Sequence, residues 1–232
     1  MELIWQGLLE AFRLIASGDP GVLQITWLSL QISGGATLLS LLVGIPVGMA
    51  LALTRFPGRS LCIALVNTGM GLPPVVVGLF VSIFVWRSGP LGFLGLLYTP
   101  TAIVVAQFII AAPIVTGLTV AAMQQLNPRL RLQLQALGAS RWQLLWLLMR
   151  EARLPLLAAV MAGFGGVISE VGASMMVGGN LLGQTRVLTT ATVLETGKGN
   201  FDVAIALSVI LLVLTFAVNY LLTWIQQRGR TP

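Results

Sequence analysis

The amino-acid sequence predicts an all-α integral membrane protein with about five transmembrane helices. Of its 232 residues, 56% are hydrophobic and 9% are charged, whereas ordinary soluble domains carry roughly 25% charged residues. A helix needs about 20 predominantly apolar residues to cross a bilayer. Five segments meet this requirement, and they comprise roughly residues 25–53, 61–86, 99–123, 154–176 and 203–225.

The basic residues predict how these helices are oriented. The 13 Lys and Arg residues outnumber the 7 Asp and Glu residues, but they are scattered between apolar blocks. This differs from the clustered basic face that binds nucleic acid. Counted on alternating sides of the helices, nine basic residues fall on one side and four, including Arg13, on the other. Because cytoplasmic loops carry the excess of Lys and Arg, we expect the N-terminus outside, the C-terminus inside, and residues 124–154 in a cytoplasmic loop.

Residues 1–21 are predicted to form an amphipathic helix at the membrane interface. Ile4, Leu8, Ala11 and Ile15 fall on one helical face, and Gly, Asp and Pro at residues 18–20 end the pattern. The segment lacks the basic start of a cleavable signal peptide. A frayed leader into the first transmembrane helix is the alternative.

The transmembrane domain is predicted to comprise residues 22–226 and to be followed by a cytoplasmic tail, residues 227–232. Several of its helices contain small residues that allow close packing, within the bundle or across a dimer, for example Gly44 and Gly48. Cys62 is the only cysteine and histidine is absent, so an internal disulfide and a Cys/His metal cluster are excluded.

Two prolines interrupt the second transmembrane segment. Pro73 and Pro74 remove two backbone donors in the middle of hydrocarbon, and Pro113 does the same in the third segment. Such breaks persist only where protein or a water-filled cavity satisfies the freed carbonyls. A purely structural kink and the lining of a translocation path both fit this pattern.

The cytoplasmic loop is predicted to contain two helices joined by a tight turn. Asn127 is followed by proline, as at a helix start, and Gly138 suits the left-handed residue past a helix end. These signals predict a helix at residues 128–137. Ser140 and Gln143 have the spacing of a capping box, so a second helix is expected to start at Ser140 and to continue to the fourth transmembrane segment.

One leucine of the first loop helix is expected to face the cytosol. Leu130, Leu134 and Leu137 recur at helical spacing and are expected to face the membrane body, whereas Leu132 lies on the opposite side. An exposed leucine on a short helix suits a helix-in-groove contact with a partner. An isolated surface leucine is the alternative.

The loop contains the sequence "LGAS" at 137–140 and a later Leu-Pro at 154–155. Through the glycine and this Leu-Pro, it resembles the loop of binding-protein-dependent ABC importer permeases. The resemblance implies a type I ABC importer permease fold and a loop that inserts into a cleft of the ATPase subunit. The usual Glu-Ala-Ala is absent, and the ATPase-coupling candidates are Leu132, Gln133, Leu134, Gly138, Ala139, Ser140 and Arg141.

The second half of the chain is similar to tungstate-uptake permeases, relatives of molybdate and sulfate permeases. Residues 168–207 and the "LPPVVVG" stretch at residues 72–78 carry this similarity. The resemblance implies a homodimer in the cytoplasmic (inner) membrane of a prokaryote, surrounded by membrane lipid. It also implies two copies of an ABC ATPase and an extracytoplasmic solute-binding protein as partners. Tungstate is the expected solute, with molybdate, sulfate or another anion as alternatives.

The chain itself is not expected to be an enzyme. Its only Gly-Lys pair, Gly197 and Lys198, lacks the earlier glycine of a phosphate-binding loop. We therefore expect no cofactor in this chain, and ATP and Mg are expected on the partner ATPase. A gradient-driven transporter or channel, the main alternative class, would need buried ionisable residues across the helices, and Glu170 is the one candidate. A membrane scaffold would leave the cytoplasmic helix pair without a purpose.

The residues expected along the translocation path or gate are mostly neutral hydrogen-bond donors. An acid is a poor direct ligand for an oxyanion, so Glu170 is expected to act in gating or packing. An ordinary solvated or hydrogen-bonded carboxylate is the alternative. The candidates for the path or gate are Pro73, Pro74, Ser169, Glu170, Ser174, Asn180, Thr185 and Thr189, and those for contact at the outer mouth or with the binding protein are Arg186 and Lys198.

Overall fold

The computed structural model describes residues 2–228, in which all regular structure is helical. Eleven α-helices follow one another in these residues. They are α1 Glu2–Ser17, α2 Pro20–Leu53, α3 Arg59–Met70, α4 Pro74–Val85, α5 Pro100–Gln124, α6 Pro128–Ala136, α7 Arg141–Glu151, α8 Arg153–Ile168, α9 Gly172–Gly178, α10 Leu188–Gly197 and α11 Phe201–Arg228, with a 3₁₀ turn at Gly92–Leu94 between α4 and α5.

Three of these helices, α2, α5 and α11, are long and apolar enough to cross a membrane on their own. Two further spans are possible as bent pairs, α3 with α4 at 102° and α7 with α8 at 72°. The all-helical membrane fold with about five spans is therefore confirmed. The fourth predicted span, residues 154–176, is not one helix, because α8 ends at Ile168 and α9 begins at Gly172.

The centre of the bundle is the close contact between α2 and α5. A Cβ placed on Gly48 would lie 2.6 Å from the Cβ of Thr119 and 2.8 Å from the carbonyl oxygen of Thr116. A Cβ on Gly44 would lie 2.9 Å from Val115. Glycine at both positions lets the two backbones approach, which confirms the predicted use of small residues in packing within the bundle.

The N-terminal helix α1 is present and ends as predicted. Gly18 has a φ of +63°, and Asp19 begins α2 by accepting a hydrogen bond from Val22 N at 2.9 Å. The packed face of α1 is centred on Gly7 and Ala11, because a Cβ on Gly7 would lie 2.5 Å from Ile205 of α11. The position of α1 at the membrane interface stays a prediction, and the side chain of the predicted face residue Ile4 lies outside the described residues.

The last helix extends beyond the predicted transmembrane segment. Helix α11 continues to Arg228, so the first two residues of the predicted cytoplasmic tail are helical. The rest of that tail, residues 229–232, lies outside the described residues.

Candidate functional site

The predicted loop helices form a compact hairpin, α6 followed by α7. Asn127 Oδ1 accepts a hydrogen bond from Arg129 N at 2.9 Å and so caps the start of α6. At its end, Gly138 has a φ of +80°, and Ala139 N donates to the carbonyl of Leu134 at 3.1 Å. These are the features of a Schellman motif, in which a left-handed glycine ends the helix. The predicted start, end and turn of the first loop helix are thus confirmed.

The second helix of the hairpin starts as predicted but ends early. Ser140 and Gln143 form the capping box, and α7 ends at Glu151. The expectation of one continuous helix into the fourth span is wrong, because the chain bends by 72° into α8. The reason is Pro155, which has no N–H to donate to the carbonyl of Glu151 four residues earlier and whose ring crowds that carbonyl.

One arginine of the hairpin fastens it to the end of α2, and a second arginine, Arg59 at the start of α3, bonds to the same helix end. Arg131 Nη1 donates to the carbonyl of Leu53 at 2.8 Å, and Arg59 Nε donates to the carbonyl of Leu51 at 2.6 Å. The last carbonyls of a helix lack intrahelical donors and carry partial negative charge, so cations stabilise them. The distribution of basic residues along the sequence predicts only the orientation of the helices and does not indicate this role.

Apolar contacts complete the attachment of the hairpin. Leu130 and Leu134 of α6 pack against a buried cluster that includes Leu144 and Leu148 of α7. Their predicted orientation towards the membrane body is confirmed. The hairpin and the adjacent ends of α2 and α5 therefore share one small core.

Four large apolar side chains of the hairpin remain exposed, namely Leu132, Leu137, Trp142 and Trp146. Leu132 is 66% exposed, as predicted for a residue opposite the packed face. Leu137 is 83% exposed, so its predicted orientation towards the membrane body is wrong. It follows the last helical residue of α6, and the helical periodicity no longer applies there. Trp142, which the sequence analysis did not single out, is 82% exposed.

The other ATPase-coupling candidates surround this exposed group. Gln133 accepts the hydrogen bond from Leu137 N that closes the last turn of α6. Ala139 and Ser140 form the turn itself, and Arg141 is the exposed first residue of α7. The hairpin thus brings the predicted coupling residues together, although their contact with an ATPase stays a prediction.

A second candidate site lies where two broken helices meet. The chain breaks between α3 and α4 and again between α8 and α9. A Cβ on Gly172, at the start of α9, would lie 2.6 Å from Val75 Cγ2, and a Cβ on Gly78 would lie 2.7 Å from Ala173 Cα. The break at Pro73 and Pro74 therefore faces the break that contains Ser169 and Glu170, which the sequence alone did not indicate.

Glu170 is buried and hydrogen-bonded at this meeting point. It is 7% exposed, and its Oε1 accepts a hydrogen bond from Ala173 N at 2.7 Å, which caps α9. Its carbonyl accepts a hydrogen bond from Thr189 Oγ1 at 3.0 Å. The neighbouring Ser169 is exposed and donates to the carbonyl of Gly165 at 2.8 Å. The alternative of a hydrogen-bonded carboxylate therefore describes Glu170 in this conformation.

Gln107 of α5 bridges the same break and was missed by the sequence analysis. Its Nε2 donates to the carbonyl of Val167 at 3.1 Å and to Ser174 Oγ at 3.4 Å, which joins the end of α8 to α9. Gln107 is 2% exposed, and its Oε1 has no hydrogen-bond partner among the described residues. The sequence does contain a sign of this role, because Gln107 is the only amide side chain in the third predicted span.

The loop after α9 is held together by its own polar side chains. Thr185 Oγ1 donates to the carbonyl of Gly178 at 2.6 Å and accepts from Leu181 N at 2.9 Å. Asn180 has a φ of +53°, and its Nδ2 donates to the carbonyl of Thr190 at 3.3 Å. In this conformation these groups satisfy the backbone inside the protein. Their predicted contact with the solute stays a prediction.

The two cations predicted at the outer mouth lie on either side of α10. Arg186 Nη2 donates to the carbonyl of Asn180 at 3.3 Å, and its Nε is buried without a partner among the described residues. Lys198 forms an ion pair with Glu195 at 2.8 Å. The hydrogen bonds from Lys198 and then from Asn200 lower the pKa of the Glu195 carboxyl below its ordinary value.

The fold and the hairpin together define a multi-pass membrane protein of the transport-permease class. Three of its possible spans are single helices and two are bent pairs, and it presents a capped helix pair at one end of the bundle. The sequence profile of the family described as "Binding-protein-dependent transport system inner membrane component" matches residues 44–231. The chain belongs to this family, and it is a multi-pass protein of the prokaryotic inner membrane.

Comparison with curated proteins confirms the resemblance to tungstate permeases. The chain is 38% identical over 227 residues to the tungstate uptake system permease protein of Peptoclostridium acidaminophilum, covering 98% of this chain and 100% of the relative. It is 40% identical over 216 residues to a probable anion ABC transporter permease protein of Haloferax volcanii, covering 91% and 92% of the two chains. The tungstate uptake permease of Campylobacter jejuni is 34% identical, with 95% and 92% covered.

Solved structures confirm the fold. The MetNI methionine ABC transporter in an inward-facing conformation matches with a TM-score of 0.77 at 21% identity, covering 91% of this chain and 97% of that chain. A bacterial alginate ABC transporter matches with a TM-score of 0.74 at 17% identity, covering 92% and 81%. At these identities the likeness shows the fold alone, which is that of type I ABC importer permeases.

Proposed function

We propose that this chain is the membrane-spanning subunit of an ATP-driven importer for an oxyanion, with tungstate as the solute. The observation that carries the proposal is the capped α6–α7 hairpin, which exposes Leu132 and Leu137 while its opposite face is built into the bundle core. An exposed apolar knob on a rigid helix fits a groove in a partner protein. The partner proposed is an ABC ATPase that binds ATP and Mg, because the chain has no phosphate-binding loop of its own.

The hairpin has two physical connections through which movement of an ATPase would reach the membrane. One is the hydrogen bond from Arg131 to the end of α2, together with the packing of Leu130 and Leu134. The other is the 72° bend from α7 into α8, which leads to the break at Glu170. A displacement of α6 would therefore be delivered to α2 and to α8 together. The two connections take the place of the single helix from Ser140 to the fourth span that the sequence predicted.

The proposed gate is the meeting point of the two breaks. Helix α4 starts at the Pro73–Pro74 break and packs against α9, and Gln107 holds α8 and α9 together from α5. In transporters, broken helices near the membrane midplane form the solute site around which the bundles move. Glu170 caps α9 in this conformation, and moving α8 would free the donors of α9, of the loop that follows and of the start of α10, namely Ser174, Asn180, Thr185 and Thr189.

Several parts of the complete importer lie outside this chain. A single hairpin per chain is explained by a twofold homodimer that engages two ATPase copies. A solute-binding protein would deliver the anion at the outer face, where Arg186 and Lys198 are the proposed contacts. The choice of tungstate is supported by two relatives named as tungstate uptake permeases. Molybdate, sulfate or another anion, carried by the same mechanism, is the alternative.

The test is ATP hydrolysis by the reconstituted complex of this chain, its ATPase and its binding protein. We expect tungstate to stimulate hydrolysis and to be taken up only with ATP. Stimulation by molybdate or sulfate instead would support the importer mechanism but would identify a different solute. Tungstate uptake by the isolated chain, driven by a gradient without ATP, would contradict the proposal and favour a secondary transporter or channel.

A further inference from the structure

A groove of about 620 Å³ lies where the end of α2 meets α7. Apart from a threonine, its wall is apolar, and the Thr54 hydroxyl is already used in a 2.6 Å hydrogen bond to the carbonyl of Ala50. The groove is separate from the meeting point of the broken helices and from Leu132. The side chains that shape it are Met49 and Leu53 of α2 with Trp142, Leu145, Trp146 and Met149 of α7.

Two tryptophans place this groove at the edge of the membrane. Trp142 and Trp146 are four residues apart on one face of α7, and they are 82% and 56% exposed. Tryptophan concentrates at the boundary between hydrocarbon and headgroups. Helix α7 is bent by 72° from α8, so it runs across the direction of that helix and not along it. This is the arrangement of a helix that lies in the membrane interface with its apolar face towards lipid.

One arginine contacts a side chain of the groove, and two more are neighbours of its lining residues in the sequence. The Arg150 guanidinium lies over the Trp146 ring at 5.5 Å from its centroid. Arg141 immediately precedes Trp142, and Arg55 immediately follows Thr54. Between Asp19 and Glu170 the sequence contains a single acid, Glu151. Neither Arg141 nor Arg55 forms an ion pair with an acidic side chain within residues 2–228.

We propose that this groove binds an anionic phospholipid, with an acyl chain along Trp142 and Trp146 and the phosphate on Arg150. An apolar slot with an arginine beside it at an interface matches both parts of such a lipid, and each arginine near the surface attracts anionic lipid. The lipid would rest on α7 just before its bend into α8. Membrane composition would therefore bias the position of the hairpin, whichever solute is transported.

The test measures tryptophan quenching by brominated lipid in nanodiscs that contain the full chain. Phe replaces the four tryptophans outside the groove, Trp5, Trp27, Trp86 and Trp224. The measured fluorescence then comes only from Trp142 and Trp146. Brominated phosphatidylglycerol and brominated phosphatidylcholine are compared at equal mole fraction. We expect phosphatidylglycerol to quench at about fivefold lower mole fraction. Arg150→Gln should reduce this preference, whereas the control Arg87→Gln, expected on the opposite side of the membrane, should leave it unchanged.

Two results would overturn the inference. Equal quenching by the two lipids would mean that only ordinary boundary lipid touches α7, and absence of quenching would mean that protein covers the groove. Should the four-Phe variant fail to fold, native mass spectrometry of the unmodified chain provides the readout. More phosphatidylglycerol than phosphatidylcholine should stay bound, and Arg150→Gln should reduce the excess. Equal retention of both lipids would contradict the proposal.

Discussion

At the start of α7, the side chains of Ser140 and Gln143 each accept a hydrogen bond from the other residue's backbone N–H. Ser140 N donates to Gln143 Oε1 at 2.8 Å, and Gln143 N donates to Ser140 Oγ at 3.4 Å. The Schellman motif at Gly138 ends α6 only two residues earlier. Because both helix ends are capped so close together, the turn has little freedom and the hairpin moves as one unit.

The first prediction concerns the glycine in that turn. Gly138→Val places a β-branched residue at a φ of +80°, which costs at least about 1–2 kcal/mol, although a Cβ there would meet nothing within 4 Å. The strain would distort the turn and leave the transmembrane core intact. We expect normal membrane insertion and about tenfold lower ATP-dependent uptake by the complete importer.

Gly95→Val is the matched control for this change. Gly95 also has a positive φ, +59°, and open space around a Cβ, but it follows the 3₁₀ turn before α5. It should leave uptake close to the unmodified level. Full activity of Gly138→Val, or an equal loss with Gly95→Val, would show that the hairpin turn has no special role.

The second prediction concerns the exposed leucine of α6. Leu132→Glu replaces an apolar contact with a charge, and truncating a hot-spot residue of an interface costs about 2 kcal/mol or more. We expect at least about thirtyfold weaker retention of the ATPase during purification of the complex. Leu182→Glu is the control, since Leu182 is 70% exposed in the loop after α9. Undiminished retention with Leu132→Glu would argue that ATPase binding does not involve this face of α6.

The third prediction concerns the packing of α2 on α5. In Gly48→Ala the new Cβ would lie within 2.8 Å of the Thr116 carbonyl oxygen and closer still to Thr119. Overpacking of this kind costs about 1–3 kcal/mol, and we expect the thermal unfolding midpoint in detergent to fall by roughly 2–10 °C. Gly35→Ala in the same helix meets nothing within 4 Å and should be neutral or stabilising. Equal midpoints for the two variants would refute the close approach.

The fourth prediction concerns the buried amide of α5. Gln107→Leu removes the hydrogen bonds to Val167 and Ser174, each worth about 1 kcal/mol. We expect backbone amides of residues 169–174 to exchange hydrogen about fivefold faster, as measured by mass spectrometry. Gln31→Leu, at an exposed position of α2, should not change exchange in that segment. Unchanged exchange in Gln107→Leu would mean that the amide does not hold the break closed.

The sequence correctly predicted the helix ends and turns that depend on neighbouring residues. The cap at Asn127, the left-handed Gly138 and the capping box at Ser140 depend on neighbouring residues, and all three are present. The broken second span followed from two prolines without backbone donors. The membrane fold itself followed from the length and hydrophobicity of the segments.

The sequence predicted poorly what depends on contacts between distant segments. The closeness of Gly172 to Val75 joins two breaks almost one hundred residues apart, and no local pattern indicates it. The predicted orientation of Leu137 is wrong because the helical periodicity on which it depends ends with α6 at Ala136. The bend before α8 could have been recognised, since Pro155 lies where a continuous helix would need an N–H.

The account depends most directly on the side of the membrane at which the hairpin lies. Ser140→Cys in a Cys62→Ala background provides a single thiol in the turn, because the chain has no other cysteine. Intact cells are treated with a membrane-impermeant maleimide before and after permeabilisation. The account predicts labelling only after permeabilisation, with the hairpin in the cytoplasm. Labelling of intact cells would place the hairpin outside, away from any ATPase, and would contradict the proposed coupling.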